Sequence, residues 1–338
     1  MAKVYYDQDA DLAGLADRKI AVLGYGSQGH AHALNLRDSG CQVRIGLEAE
    51  RKSALAARRD GFVVMELTEA SAWADLVVIL VPDEAQPGVY NKHIQPVLDD
   101  RKILLFAHGF SIHFGFIVPP PRVGVALVAP KSPGHMLRRE FAAGRGVPGL
   151  LALHRDAPEN CLETAKAYAK AIGLTRAGLI ETSFQEETET DLFGEQAVLC
   201  GGLTSLMRLG FETLLEAGYQ PELAYFECIH EMKLIVDLIY EGGMGWMRHS
   251  VSNTAEYGDY ITQEKMNTTA VRESMRGVLA AIRSGEFARE WMADQQRAGA
   301  EFRALRELHR SHRLEEVGAN LRAMMPWLNG QKEASHEK

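Results

Sequence analysis

Residues 19–29 read Lys-Ile-Ala-Val-Leu-Gly-Tyr-Gly-Ser-Gln-Gly, and the helical stretch His30–Asp38 follows at once. A short apolar run bounded by glycine reads as a buried strand. A glycine-rich turn between such a strand and a helix is the signature of a dinucleotide site. Gly24 permits the tight turn, Gly26 lets the backbone approach a pyrophosphate, and Gly29 allows close helix–strand packing. Tyr25, Ser27 and Gln28 complete the turn, and the helix N-terminus supplies amide donors to phosphate oxygens. GxGxxG in isolation is a weak signal; its strand–turn–helix context makes it specific. The competing reading is a glycine turn with no ligand.

The pattern continues outward from this turn. Further strands are expected at Gln42–Ile45, Phe62–Val64, Leu76–Val81, Ile103–Phe106, Val123–Ala129 and Leu150–His154, with amphipathic stretches such as Ser53–Arg59 between them. This alternation predicts an α/β fold, a Rossmann-type doubly wound parallel sheet, over residues 1–182. Beyond Thr182 the apolar residues recur at helical spacing: Leu203, Leu206, Met207, Gly210, Phe211 and Leu214, then Ile229, Met232, Ile235, Val236 and Ile239. Residues 183–328 are therefore expected to form an all-helical domain. The polar end, 329–338, is expected to be a disordered tail.

Composition narrows the class. The chain has 338 residues, enough for two domains, with 46% hydrophobic and 24% charged residues and a net charge of −8. No Lys/Arg stripe marks a nucleic-acid partner. The longest strongly apolar run, Leu76–Val81, is too short to span a membrane. The N-terminus lacks the apolar core of a secretory signal. Cys41, Cys161, Cys200 and Cys228 show no CxxC pairing and read as free thiols of a cytoplasmic protein.

Glu48 follows the second strand, where an acid accepts the ribose hydroxyls of NAD and repels the extra phosphate of NADP. Arg51, Lys52 and Ser53 come next and offer that phosphate a site. Glu48 points to NADH being accepted, with either coenzyme still in play. In open α/β sheets ligands bind beyond the carboxyl ends of the strands. Three strand ends carry suitable groups: Pro82-Asp83, His108-Gly109 and Pro130-Lys131. His108 can shuttle a proton, and Lys131 can stabilise a developing oxyanion.

Two acid pairs share one spacing, Asp191/Glu195 and Glu227/Glu231, each amid large apolar residues. Positions i and i+4 share a helix face. Buried carboxylates are costly unless neutralised, and hard divalent cations such as Mg²⁺ prefer oxygen ligands. Carboxylates on facing helices build two-metal centres; an ion-pair network between helices is the alternative. The acids of Gln185-Glu-Glu-Thr-Glu-Thr190, namely Glu186, Glu187 and Glu189, read as a solvated face. His230 lies off the face of the second pair and reads as a packing residue.

Taken in order, the GYGSQG turn, HGF at 108–110, APKSPGH at 129–135, TETDLFGEQAVLCGG at 188–202, YFECIHEMKLIVDLIYEGG at 225–243 and SVSNTAEYG at 250–258 closely resemble ketol-acid reductoisomerase (acetohydroxyacid isomeroreductase) in its short, class I form. The resemblance runs from about residue 3 to LRAMMPWL at 321–328. It implies conversion of 2-acetolactate or 2-aceto-2-hydroxybutyrate to the 2,3-dihydroxy acid precursors of valine, leucine and isoleucine, with two Mg²⁺ and usually NADPH. It implies that Asp191 bridges both metals and Glu195 holds one, that Glu227 and Glu231 come from the partner of an intertwined, knotted helical homodimer, and that Ser252 binds the substrate carboxylate. Dimers of this kind can assemble further. His108 matches the family's catalytic histidine and Lys131 its active-site lysine; with Glu231 they are the candidates for moving protons. Gln86 and Gly134 complete the expected coenzyme set. The departure is the second-strand loop, where the NADPH pattern carries an Arg and then serines, but this chain has Glu48, Ala49, Glu50 and Arg51.

Two other readings compete. A metal-free 3-hydroxyacid dehydrogenase would need the lysine but no acidic quartet, and a dinucleotide-sensing regulatory module would bind NAD(P)H, turn over nothing and have no use for the quartet. Loss of activity on removing Mg²⁺ separates the first from the reductoisomerase.

Overall fold

The computed structural model describes residues 2–157 and 160–327; the expected tail at 329–338 lies outside the described residues. The chain forms two compact units that meet in sequence between Thr188 and Glu189.

The N-terminal unit is built on nine strands: β1 (Val4–Tyr5), β2 (Lys19–Leu23), β3 (Gln42–Gly46), β4 (Val64–Met65), β5 (Leu76–Ile79), β6 (Ile103–Phe106), β7 (Gly124–Pro130), β8 (Gly149–Arg155) and β9 (Leu179–Thr182). Their order is β1-β9-β8-β7-β6-β5-β2-β3-β4. The run from β7 to β4 is parallel, as the alternating pattern predicts. The sheet as a whole is mixed, because β8 runs antiparallel to β7 and β1 antiparallel to β9. The chain leaves β2 to build β3 and β4 on one side, then returns to build β5 and β6 on the other. The switch point between β2 and β5 is where such sheets open a ligand crevice.

Burial on both faces explains why the central strands are apolar throughout rather than alternating. Ile20, Val22, Val78 and Leu105 pack into one core, and Ala21, Leu23, Val77 and Phe106 into the other, all with at most 1% exposure. The helix Ser27–Asp38 packs on the first of these faces through Ala31, Ala33, Leu34 and Leu36.

The regular elements of the C-terminal unit, among its described residues, are all helices. Its own core is small: Phe211, Ala224, Tyr225, Val317 and Leu321. Gly318 allows the Tyr225 ring close, since a Cβ there would lie 2.5 Å from Cε2, and the phenol accepts a hydrogen bond from Arg322 Nη1 at 2.7 Å. Many large apolar side chains of this unit stay exposed, among them Leu199, Leu209, Leu234, Tyr240, Met244 and Trp246. The run Phe184–Glu216 is long and apolar enough to cross a membrane by length and composition, with little of its apolar stretch buried.

Candidate active site

The glycine turn has the form its sequence requires. Gly24 takes φ +105°, and a Cβ there would lie 2.6 Å from the Leu80 carbonyl oxygen, so a side chain is excluded twice. At Gly29 a Cβ would lie 2.3 Å from the Gly24 carbonyl oxygen, whereas at Gly26 nothing lies within 4 Å. The turn is thus closed below and open over Gly26, which fits a backbone cradle for a pyrophosphate. Tyr25 turns inward and donates to Asp60 Oδ2 at 2.7 Å.

Across the switch point the chain leaves β5 through Leu80, Val81, Pro82 and Asp83. Gln86 is buried there and its amide donates to the Val81 carbonyl at 3.2 Å and to Asp83 Oδ1 at 2.9 Å. Its Oε1 is buried with no partner among the described residues. Beyond β3, Arg51 Nε donates to Glu48 Oε2 at 2.9 Å, and both side chains are exposed. The hydrogen bond and charge of Arg51 hold the Glu48 carboxyl below its ordinary range. Ser53 lies in the first turn of the helix Lys52–Arg59.

At the ends of β6 and β7 the sequence-predicted His108 and Lys131 meet on one residue. His108 Nδ1 lies 3.2 Å from Glu187 Oε1, and Lys131 Nζ lies 3.5 Å from the same oxygen. Glu187 Oε2 accepts the Gly109 backbone N–H at 2.8 Å. The Glu187 side chain is 1% exposed, so its expected place on a solvated face is corrected. The helix Phe184–Gly194 reaches this position because Gly109 has no side chain: a Cβ there would lie 2.3 Å from Thr188 Oγ1 and 2.9 Å from the Phe184 carbonyl oxygen. A buried carboxylate is tolerated when a cation and donors surround it, and here the Lys131 ammonium, the His108 ring and the Gly109 amide do so. A His108 Nδ1–H donated to Glu187 makes Nε2 the basic nitrogen of the neutral ring.

The acid pairs lie in the C-terminal helices. Asp191 lies near the end of Phe184–Gly194, and Glu195 opens a π-turn, Glu195–Leu199. Glu227 lies inside a second π-turn, Phe226–His230, and Glu231 follows it at the N-cap of Met232–Ser250. Such wide turns are rare and concentrate at functional sites. The expectation of buried carboxylates is corrected for the single chain: Asp191 is half-buried, and Glu195, Glu227 and Glu231 are exposed. No cluster of ligand atoms among the described residues unites the two pairs. His230 stands edge-on to Phe226, 5.4 Å between ring centroids, in the packing role expected of it. Ser252 N-caps the helix Asn253–Met266, its Oγ accepting Ala255 N–H at 3.2 Å. The bond uses a lone pair, so the hydroxyl keeps its proton to donate to an anion at a helix N-terminus.

Residues 14–178 match the family described as acetohydroxy acid isomeroreductase, NADPH-binding domain, and residues 184–327 match ketol-acid reductoisomerase, C-terminal domain. The chain belongs to the ketol-acid reductoisomerase family. It is similar to the structure of an NADH-preferring ketol-acid reductoisomerase from an uncultured archean, with 46% identity and a TM-score of 0.92 over 95% of this chain and 98% of that one. A putative oxidoreductase from Jannaschia sp. CCS1 shares the fold at 14% identity and a TM-score of 0.58, covering 79% of this chain and 97% of the other. A semialdehyde dehydrogenase NAD-binding protein from Cupriavidus necator does so at 19% and 0.55, covering 78% and 99%. This ketol-acid reductoisomerase is a nicotinamide-dependent oxidoreductase of branched-chain amino-acid biosynthesis.

Within the reductoisomerase fold, Glu187 is the site residue that sequence reasoning missed. The signal was present: Glu187 precedes Asp191 by one helical turn, as Asp191 precedes Glu195, so the three share a face. The two π-turns have no sequence marker beyond the acids they carry.

Proposed function

We propose that this chain catalyses the Mg²⁺-dependent alkyl migration and NAD(P)H reduction of 2-acetolactate or 2-aceto-2-hydroxybutyrate to 2,3-dihydroxy acids, at sites shared between the two chains of a homodimer. The observation that carries the reading is the buried Glu187 with His108 and Lys131 around it, at the carboxyl edge of a sheet whose glycine turn is open at Gly26. A plain dehydrogenase needs the turn and the lysine. It has no use for two acid pairs, each with one member on a π-turn.

The backbone of Gly24–Gly29, with Glu48, Arg51, Ser53, Pro82, Asp83, Gln86 and Gly134, would hold the coenzyme. Asp191 and Glu195 would hold two Mg²⁺ together with Glu227 and Glu231 of a second copy, an all-oxygen donor set suited to that ion. When bound, the nicotinamide supplies a hydride, and the two Mg²⁺ supply Lewis acidity at the hydroxyl and ketone oxygens of the substrate. The protein's share is placement and protons. Lys131 brings positive charge to the strand end, where it favours a negative substrate oxygen. Glu187 fixes Lys131 and the His108 ring, whose Nε2 can take or return a proton. Glu231 is the further candidate for that transfer. Ser252 would hold the substrate carboxylate. The free thiols of all four cysteines fit a cytoplasmic enzyme.

The test is steady-state oxidation of NADH and of NADPH with 2-acetolactate, with Mg²⁺ and after chelation. Turnover that falls to background on chelation and returns with Mg²⁺ supports the proposal. Turnover of a 3-hydroxy acid that survives chelation favours the metal-free dehydrogenase.

A further inference from the structure

We infer that the Gln28 side chain is a positioning residue that couples occupancy of the coenzyme turn to the placement of Lys131. The inference rests on the function proposed above for Lys131. Gln28 lies in the first turn of Ser27–Asp38, beside the amides that would face a pyrophosphate. Its Nε2 donates to the Ser132 carbonyl oxygen at 2.9 Å, and Ser132 is the residue after Lys131. A second contact joins the same two segments. Gly134 opens the helix Gly134–Ala142, and a Cβ there would lie 2.0 Å from the Ser27 carbonyl oxygen. Further along, Arg138 donates to Asn35 Oδ1 at 2.8 Å and to Asp38 Oδ2 at 2.6 Å, so the two helices are tied along their length.

Lys131 is held on its other side by the strand end, its N–H donating to the Pro148 carbonyl at 2.9 Å, and its Nζ lies 3.5 Å from Glu187. A continuous path therefore runs from the turn, through the Gln28 amide and the Ser132 carbonyl, to Lys131, Glu187 and His108. Backbone packing at Gly134 fixes how close the segments lie. The Gln28 bond anchors the Ser132–Pro133 peptide, one residue beyond Lys131, and so restrains the backbone from which Lys131 leaves the strand. Ordering the turn with a pyrophosphate orders Lys131 as well.

Hydrogen–deuterium exchange of peptides spanning 131–136 tests this, with NADH as the probe and no substrate, in the wild type, Gln28→Leu and Gln28→Met. NADH should slow exchange in the wild type and leave it unchanged in both variants. The variants should bind NADH with a dissociation constant within about threefold of wild type, a shift of under 1 kcal/mol. At saturating NADH and substrate, kcat should fall by about tenfold or more, because a reacting group out of place costs rate rather than coenzyme affinity. No slowing in the wild type, or slowing that persists in a variant that binds NADH, overturns the inference. A variant that weakens NADH binding at unchanged kcat overturns it too, making Gln28 a plain coenzyme contact. The exchange measurement needs no turnover, so a wild type inactive on 2-acetolactate would defeat the proposed function while leaving this coupling to be judged by itself.

Discussion

Glu48 and Arg51 already engage each other, and that pair decides what the coenzyme loop offers a ligand. A carboxylate can accept hydrogen bonds from both ribose hydroxyls of NADH. Facing a 2′-phosphate it meets a like charge, a penalty that can reach a few kcal/mol, or roughly tenfold in affinity per 1.4 kcal/mol. Arg51 would offset part of that penalty, since charge-assisted bonds to phosphate are strong, but to do so it must leave Glu48. NADH is therefore expected to be used at least comparably to NADPH. Glu48→Arg should shift the preference toward NADPH, chiefly through the coenzyme KM. The check is kcat/KM for both coenzymes in wild type and variant. A wild type favouring NADPH by about a hundredfold would show that the basic residues dominate the loop.

The helix Ser27–Asp38 begins at the glycine turn and hides a histidine in its second turn. His32 is fully buried, with Nδ1 2.7 Å from the Tyr168 hydroxyl and Nε2 without a partner among the described residues. Burial pushes its pKa from an ordinary 6.5 down to about 3. The neutral ring is the folded form, so its contribution is complete above pH 6.5 and is lost as pH falls from there toward 3. Between pH 7 and pH 5 the loss is about 2 kcal/mol, from one proton taken up by the unfolded chain alone. His32→Asn should be less stable at pH 7, yet lose less on acidification by about that amount. Denaturant titrations of both proteins at the two pH values check this; equal losses would place the acid sensitivity elsewhere. At this scale the sequence was legible where burial is two-sided. Residues 19–23 and 103–106 were read as strands at their observed bounds because both faces are apolar. β1 was missed because it is a two-residue edge strand. β9 escaped because Glu181 and Thr182 interrupt it and a single residue of it is buried. Glu187 looked like surface because its burial is set by Gly109, 78 residues away in sequence. The acid pairs were legible as spacing, but their exposure was not, because it depends on what covers them.

For the whole molecule, the exposed apolar side chains of the C-terminal helices are the outstanding physical fact. Tyr240 is 89% exposed, Leu199 66% and Met244 62%, in a unit whose buried apolar cluster, among the described residues, is small. Exposed apolar surface of this kind is what the proposed second copy would cover, leaving the run Phe184–Glu216 as a subunit contact. In the proposed dimer the same copy would bring its Glu227 and Glu231 to Asp191 and Glu195 of the first. Asp191→Asn and Glu227→Gln should each abolish turnover while leaving NADH binding intact, because the nucleotide turn lies in the other unit. Mixing the two inactive proteins is the most direct test of the shared site, once a tag pull-down shows that they exchange subunits. A heterodimer pairs one site with both lesions and one site with neither. The account predicts that activity reappears on mixing, in proportion to the heterodimer formed; heterodimers that form and stay inactive would show that each site is built within a single chain.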